Sequence, residues 1–211
     1  AAENNIILDL LGSKMINTEV FEVGLKVDFN NYFSRELLPR NAGGSYNPNE
    51  STLNNTIVKV VPLKITTARK KLYASVGFAI FADVNDKTKF HFYPDIEAKY
   101  SFFDIFIPYI GMNGGLERNS FRTLTNENPF LLSQVSLRNT NTKYNVYGGI
   151  RGSISNKITF NTQIARKKIE SEALFVSDTN YSIENKMDVI YEALDLTEIN
   201  AQITFQDQEK I

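Results

Sequence analysis

His91, Asp95, Glu97 and Lys99 fall within the eleven-residue stretch FHFYPDIEAKY (residues 90–100), which brings the only histidine of the sequence near two carboxylates. A histidine beside carboxylates is the raw material of general acid–base catalysis, and two carboxylates at i and i+2 of a strand share a face about 7 Å apart, close enough for proton transfer or a cation. The sequence withholds the rest of such a site. His91 is the only histidine, no Gly-x-Ser-x-Gly nucleophile elbow accompanies it, and cysteine is absent, which removes thiol nucleophiles, zinc-thiolate sites and disulfides together. Lys99 continues the row of Asp95 and Glu97, so a ladder of opposite charges on one strand face is the more economical reading. We therefore expect no catalytic residues, no metal and no cofactor.

The other phase of the same stretch is apolar: Phe90, Phe92, Ile96, Ala98 and Tyr100. A half-buried strand of a soluble sheet has this alternation, and so has a transmembrane strand with lipid on one side and water on the other. The pattern recurs along nearly the whole chain. In VFEVGLKVDFN, Phe21, Val23, Leu25, Val27 and Phe29 oppose Glu22, Gly24, Lys26, Asp28 and Asn30. YNVYGGIRGS sets Val146 and Ile150 against Asn145 and Arg151, and TEINAQITFQ sets Ile199, Ala201, Ile203 and Phe205 against Glu198, Asn200, Gln202 and Thr204. A slip of one residue would carry every charge to the greasy side, so the registers are strongly specified. With IILDLL at the start and weaker runs at 56–67 and 186–193, the chain reads as about ten strands, most of them 9–12 residues, the length a tilted strand needs to cross a bilayer.

The links between these runs separate two fold classes. Long connections at 33–55, 116–141 and 167–185 alternate with short ones around GSKMIN, TARK, SFFD, SISN and LDL, with DVNDKT intermediate. Outer-membrane barrels sort their loops this way, tight on the periplasmic side and extended outside. Greek-key sandwiches vary loop length with less order, and a soluble or periplasmic β-sandwich or lipocalin-like binding module is the alternative. On ten strands, the first would start and the last would finish on the long-loop side. That arrangement implies an internal piece of a larger barrel, or partner chains that supply closing strands. No run of about 18 apolar residues provides a transmembrane helix, and the net charge of −1, with both signs interspersed, gives no basic face for nucleic acid.

The stretch GMNGGLERNSFRTLTNENPFLLSQ, running into NTNTKYNVYGGIRGSISNKITFNTQIARKK, resembles a family of Bacteroidota outer-membrane β-barrel proteins of TonB-dependent-receptor type. The resemblance is carried by Gly114–Gly115, RNSFR at 118–122, ENPF at 127–130, the strand Tyr144–Gly152 and the tight SISNK turn, and it covers about residues 90–170. It implies an envelope barrel in the outer membrane of a Gram-negative bacterium. It supplies no substrate, and no stretch before Val20 has the length of a plug domain, so energised uptake is not implied.

These readings converge on an all-β, antiparallel up-and-down transmembrane barrel, one domain or barrel segment over 1–211. It would act without catalysis as a channel or as a structural subunit of an envelope transport or secretion assembly. Glu22, Lys26, Asp28, His91, Asp95, Glu97, Lys99 and Arg151 are expected to face a polar lumen. Phe130, Leu131 and Leu132 are expected to anchor a loop, to form a short helical turn in ENPFLLSQ, or to meet a partner. Tyr73, Tyr100, Tyr109, Tyr144 and Tyr147 are candidates for interfacial girdles. The expected surroundings are outer-membrane lipid and lipopolysaccharide, with other barrel or envelope proteins as further partners.

Overall fold

A computed structural model describes residues 3–32, 53–84, 88–102, 105–132, 135–177 and 186–206. Nine strands form one antiparallel sheet in strict sequence order: β1 Glu3–Ile16, β2 Glu19–Tyr32, β3 Leu53–Arg69, β4 Leu72–Val84, β5 Thr88–Tyr100, β6 Phe106–Glu117, β7 Thr140–Ser155, β8 Ile158–Ser177 and β9 Met187–Phe205. Period-two alternation and two-residue turns at 17–18, 70–71 and 156–157 suffice to build this meander. The turn residues Asn17 and Lys70 take φ of 55° and 41°, the left-handed region that reverses a chain between twisted strands.

The nine strands agree with the expected count of about ten, and the difference lies at one expected turn. LDL at 194–196 is not a turn but the middle of β9, where Leu194, Asp195 and Leu196 stand opposite Ile169, Lys168 and Lys167. The long link expected at 167–185 shrinks accordingly, because β8 continues to Ser177. Alternation fails as a guide there for a physical reason: the β8–β9 register shifts between Ile169 and Glu172, and Ser171 adopts φ 57°. A bulge inserts a residue and flips the side-chain phase. With nine strands, β9 runs toward the short-turn end, which overturns the expectation that both ends of the sheet lie on the long-loop side. The link expected at 33–55 lies mostly outside the described residues, which resume at Leu53.

The registers place Leu10, Leu25, Val60, Ile80 and Phe92 in one row across β1 to β5, and Ile96 opposite Met112 on β6. This face is apolar and open: Phe90, Phe92, Ile110, Ile199 and Ile203 are each more than 60 % exposed. It ends on the long-loop side at Arg166 and Lys168, which follow Ile164 in the same phase of β8. The buried residues sit on the opposite, polar face, where Ile57, Ala79, Phe81 and Tyr93 cluster. A soluble sandwich buries its apolar phase between two layers. Here that phase has no second layer among the described residues, and β1 and β9 each leave one edge without a partner strand.

Candidate functional site: the polar face and its loop

His91 and the seven charged residues singled out from the sequence fall on the polar face. Glu22, Lys26 and Asp28 stand opposite Lys64, Lys59 and Ile57 across β2–β3; Asp95, Glu97 and Lys99 stand opposite Asn113, Gly111 and Tyr109 across β5–β6; and Arg151 stands opposite Asn161 on β8. The expected ladder is only half local. Lys99 Nζ reaches Glu97 at 2.9 Å, but Asp95 is taken by Lys64 of β3, whose Nζ donates at 2.7 Å across the intervening β4. Gly77 is the residue that lies between them in the register, so no side chain blocks the crossing. Lys64 escapes a period-two reading because the β3–β4 register shifts between Val60 and Leu63. Pro62, which cannot donate to a ladder, was the signal for it.

His91 is held by a side-chain network on the polar face. Its Nδ1 lies 3.4 Å from the Asn141 amide nitrogen, its ring stacks on Tyr93 with centroids 6.1 Å apart, and the Tyr93 hydroxyl donates to Asn141 Oδ1 at 2.7 Å. Asn141 also donates to Glu170. Asn141 thus joins His91, Tyr93 and Glu170 in one side-chain network.

Three of the five candidate girdle tyrosines belong to the polar face as well. Tyr100 and Tyr144 sit in the apolar phase near opposite limits of the open face, but Tyr73, Tyr109 and Tyr147 turn the other way. Tyr109 faces Gly149, and Tyr147 faces Gly111, across β6–β7. Each ring lies flat on the glycine opposite, in the space a Cβ would fill. The Tyr109 hydroxyl then reaches Asn161 Oδ1 at 2.9 Å.

The segment joining β6 to β7 crosses this face. It begins at Arg118, whose Nη1 donates to Asp28 Oδ1 of β2 at 2.7 Å, and continues into a short helix, α1 (Phe121–Glu127). Ser120 caps α1 in a reciprocal box with Thr123, at 3.0 and 2.9 Å, and the Arg122 amide donates to Glu3 of β1. The helical turn expected in ENPFLLSQ thus lies just upstream, and Asn128 is its C-cap. Leu131 and Leu132 pack with Leu124, Val135 and Val189 of β9, while Phe130 stays 59 % exposed. Two backbone bonds, Met187 N–H to Phe130 O and Leu132 N–H to Met187 O, both 2.9 Å, tie this end to β9. The loop therefore spans the mouth of the curled sheet from β1 and β2 to β9.

Its return is fastened by Asn139, which exchanges hydrogen bonds with Asn55 of β3 at 2.8 and 3.1 Å and donates to Asp83 of β4 at 2.8 Å. Asn55 and Asn139 are buried. Replacing Asn139 by Ala strands the buried Asn55 and the half-buried Asp83, and about 2 kcal/mol of stability is expected to be lost. Equilibrium denaturation checks the cost, and cleavage of the loop by added protease at unchanged strand content checks the location. Neither asparagine carried a charge or motif to flag it.

Beyond Lys168 the extension of β8 carries Glu172. Burial lifts its carboxyl above the ordinary value, the nearby Glu117 and Glu127 add to the rise, and Lys167 opposes it. A carboxyl whose folded pKa exceeds its unfolded one stabilises fully below the unfolded value, and that contribution is lost as pH rises through the folded value. Glu172→Gln is expected to raise the unfolding midpoint at pH 7 and to leave it unchanged near pH 3, as thermal scans at the two pH values would record.

Comparisons with known proteins bear on the fold. No family model matches the chain, and no curated protein matches it. Among the solved structures that match are P. aeruginosa FpvA in complex with a heterologous pyoverdine and iron, and FpvAI in complex with pyocin S2. Each is 12 % identical over the aligned residues with a TM-score of 0.50; the match covers 97 % and 98 % of this chain and 30 % of each of those chains. The likeness is one of fold: the chain forms an up-and-down antiparallel sheet like a stretch of these β-barrel chains, and it spans less than a third of their length.

Proposed function

We propose that the nine strands form part of the wall of an outer-membrane β-barrel in a Gram-negative bacterium of the Bacteroidota type, serving as a channel or as a structural part of an envelope transport assembly. One observation carries this reading. A continuous apolar face, with Phe92 70 % and Ile203 77 % exposed, backs onto a face rich in charges and amides. Exposed apolar surface on this scale requires lipid or a partner, and up-and-down strands with all backbone bonds made between neighbours are the β-architecture that lipid accepts. The long extension of β8 and the outward Arg166 and Lys168 then lie on the side of lipopolysaccharide. The open edges of β1 and β9 are where further barrel strands or envelope proteins would pair. Glu22, Lys26, Asp28, His91, Asp95, Glu97, Lys99 and Arg151 would line the lumen, with the β6–β7 loop folded over its mouth. A lipocalin-like module is disfavoured because it encloses its apolar phase, whereas here that phase is the open one.

Fractionation with detergent extraction is the test. Recovery in the outer membrane, dispersion only in detergent and heat-modifiable migration on a gel are expected. A monodisperse monomer without detergent would sink the reading.

A further inference from the structure

On the polar face, Lys26 of β2 stands directly opposite Lys59 of β3. Like charges facing each other across a strand pair destabilise a sheet, so their retention asks for a counter-charge. The described residues do not supply enough of it. Asp28 Oδ1 is already shared by Arg118 and the Asn5 amide. Asp9 stands opposite Lys26 on β1, but it makes no ion pair with it. Lys59 meets only the Phe81 ring, 5.5 Å from its centroid. The guanidinium of Arg118 adds a second anomaly: its Nε is closed off from solvent and has no hydrogen-bond acceptor. A buried donor on a charged group without a partner is costly and rare in folded proteins.

Lys26, Lys59, Arg118 and Asp28, the last already engaged by Arg118, line one cavity of about 210 Å³, whose remaining walls are the apolar side chains Ile57, Phe81 and Leu116. We infer that this cavity is a binding site for a small organic carboxylate. The carboxylate meets Lys26 and Lys59, and the apolar body of the ligand lies against Ile57, Phe81 and Leu116. Charge-assisted bonds from the two lysines fix the acid end; the ring and aliphatic walls favour an apolar remainder over a bare inorganic ion. The inference goes beyond the barrel reading and does not depend on it, because the cavity belongs to the polar face whichever medium meets the other.

The test is calorimetric titration of the whole chain in non-ionic detergent at low ionic strength with benzoate, benzyl alcohol and inorganic phosphate. Saturable benzoate binding is expected, weakened at least tenfold by Lys59→Gln and by Lys26→Gln, with benzyl alcohol not binding and phosphate binding more weakly than benzoate. Both substitutions relieve a like-charge pair, so the variants should keep the heat-modifiable band, and that band serves as the folding control. Wild-type protein that fails to bind benzoate, or variants that bind it as well as wild type, would overturn the site; phosphate binding as tightly as benzoate would overturn the apolar part of its specificity. Failure here leaves the detergent test untouched, and a detergent-free monomer leaves the cavity in place.

Discussion

Phe92→Arg is expected to abolish assembly of the chain in a membrane while leaving a water-soluble fold almost undisturbed. Phe92 lies in the open apolar row of β5 and is 70 % exposed. In water, exchanging so exposed an aromatic for a cation costs little and improves solubility. In lipid, an arginine on the outer face of a barrel costs about 2–4 kcal/mol near the bilayer midplane, a large part of the 5–15 kcal/mol that holds a typical fold together. The neighbouring His91→Arg supplies the contrast, since that side chain faces the polar side. Folding into lipid vesicles, followed by the heat-modifiable band, should fall steeply for Phe92→Arg and stay near wild type for His91→Arg. Equal yields would mean that lipid does not meet the face on which Phe92 lies.

Gly149→Ala is expected to be strongly destabilising. A Cβ there would overlap the Thr162 carbonyl oxygen of β8 and lie 2.6 Å from the Tyr109 ring, so both a backbone and a packed aromatic stand in its way. Overpacking of this kind costs about 1–3 kcal/mol where side chains can yield, and the backbone here cannot, so a loss near 3 kcal/mol is expected. Gly115→Ala is the control: a Cβ at that position meets nothing within 4 Å, and no measurable change is expected. Unfolding in denaturant compares the pair directly. Equal midpoints would mean that Tyr109 does not lie on Gly149.

The strands and their two faces were legible because one chemical rule, apolar to one side and polar to the other, runs through almost every residue of β2, β4, β5 and β7. The rule failed where the backbone changes phase. The shift in β3 beside Pro62 hid Lys64, and the one in β8 around Ser171 made LDL look like a turn. The fastening of the loop was hidden for a different reason: Asn55, Asn139 and Asn141 are uncharged and aperiodic, and their role arises only when distant strands bring their amides together. Tyr109 and Tyr147 misled in the same way, because a tyrosine near a strand end reads as an interfacial anchor until the glycine opposite it is known.

The meander also dictates an order of events in time. Every strand pairs with its neighbour in sequence, so the sheet can grow hairpin by hairpin with little chain entropy surrendered at each closure. The bonds that fasten the β6–β7 loop are of another kind: Asn55–Asn139, Asp28–Arg118 and Glu3–Arg122 join residues 84, 90 and 119 positions apart. None can form cheaply until the intervening strands have already brought their ends together. The loop therefore docks last, and its contacts contribute chiefly to how slowly the finished structure comes apart, since interactions absent from the folding transition state act on the unfolding rate.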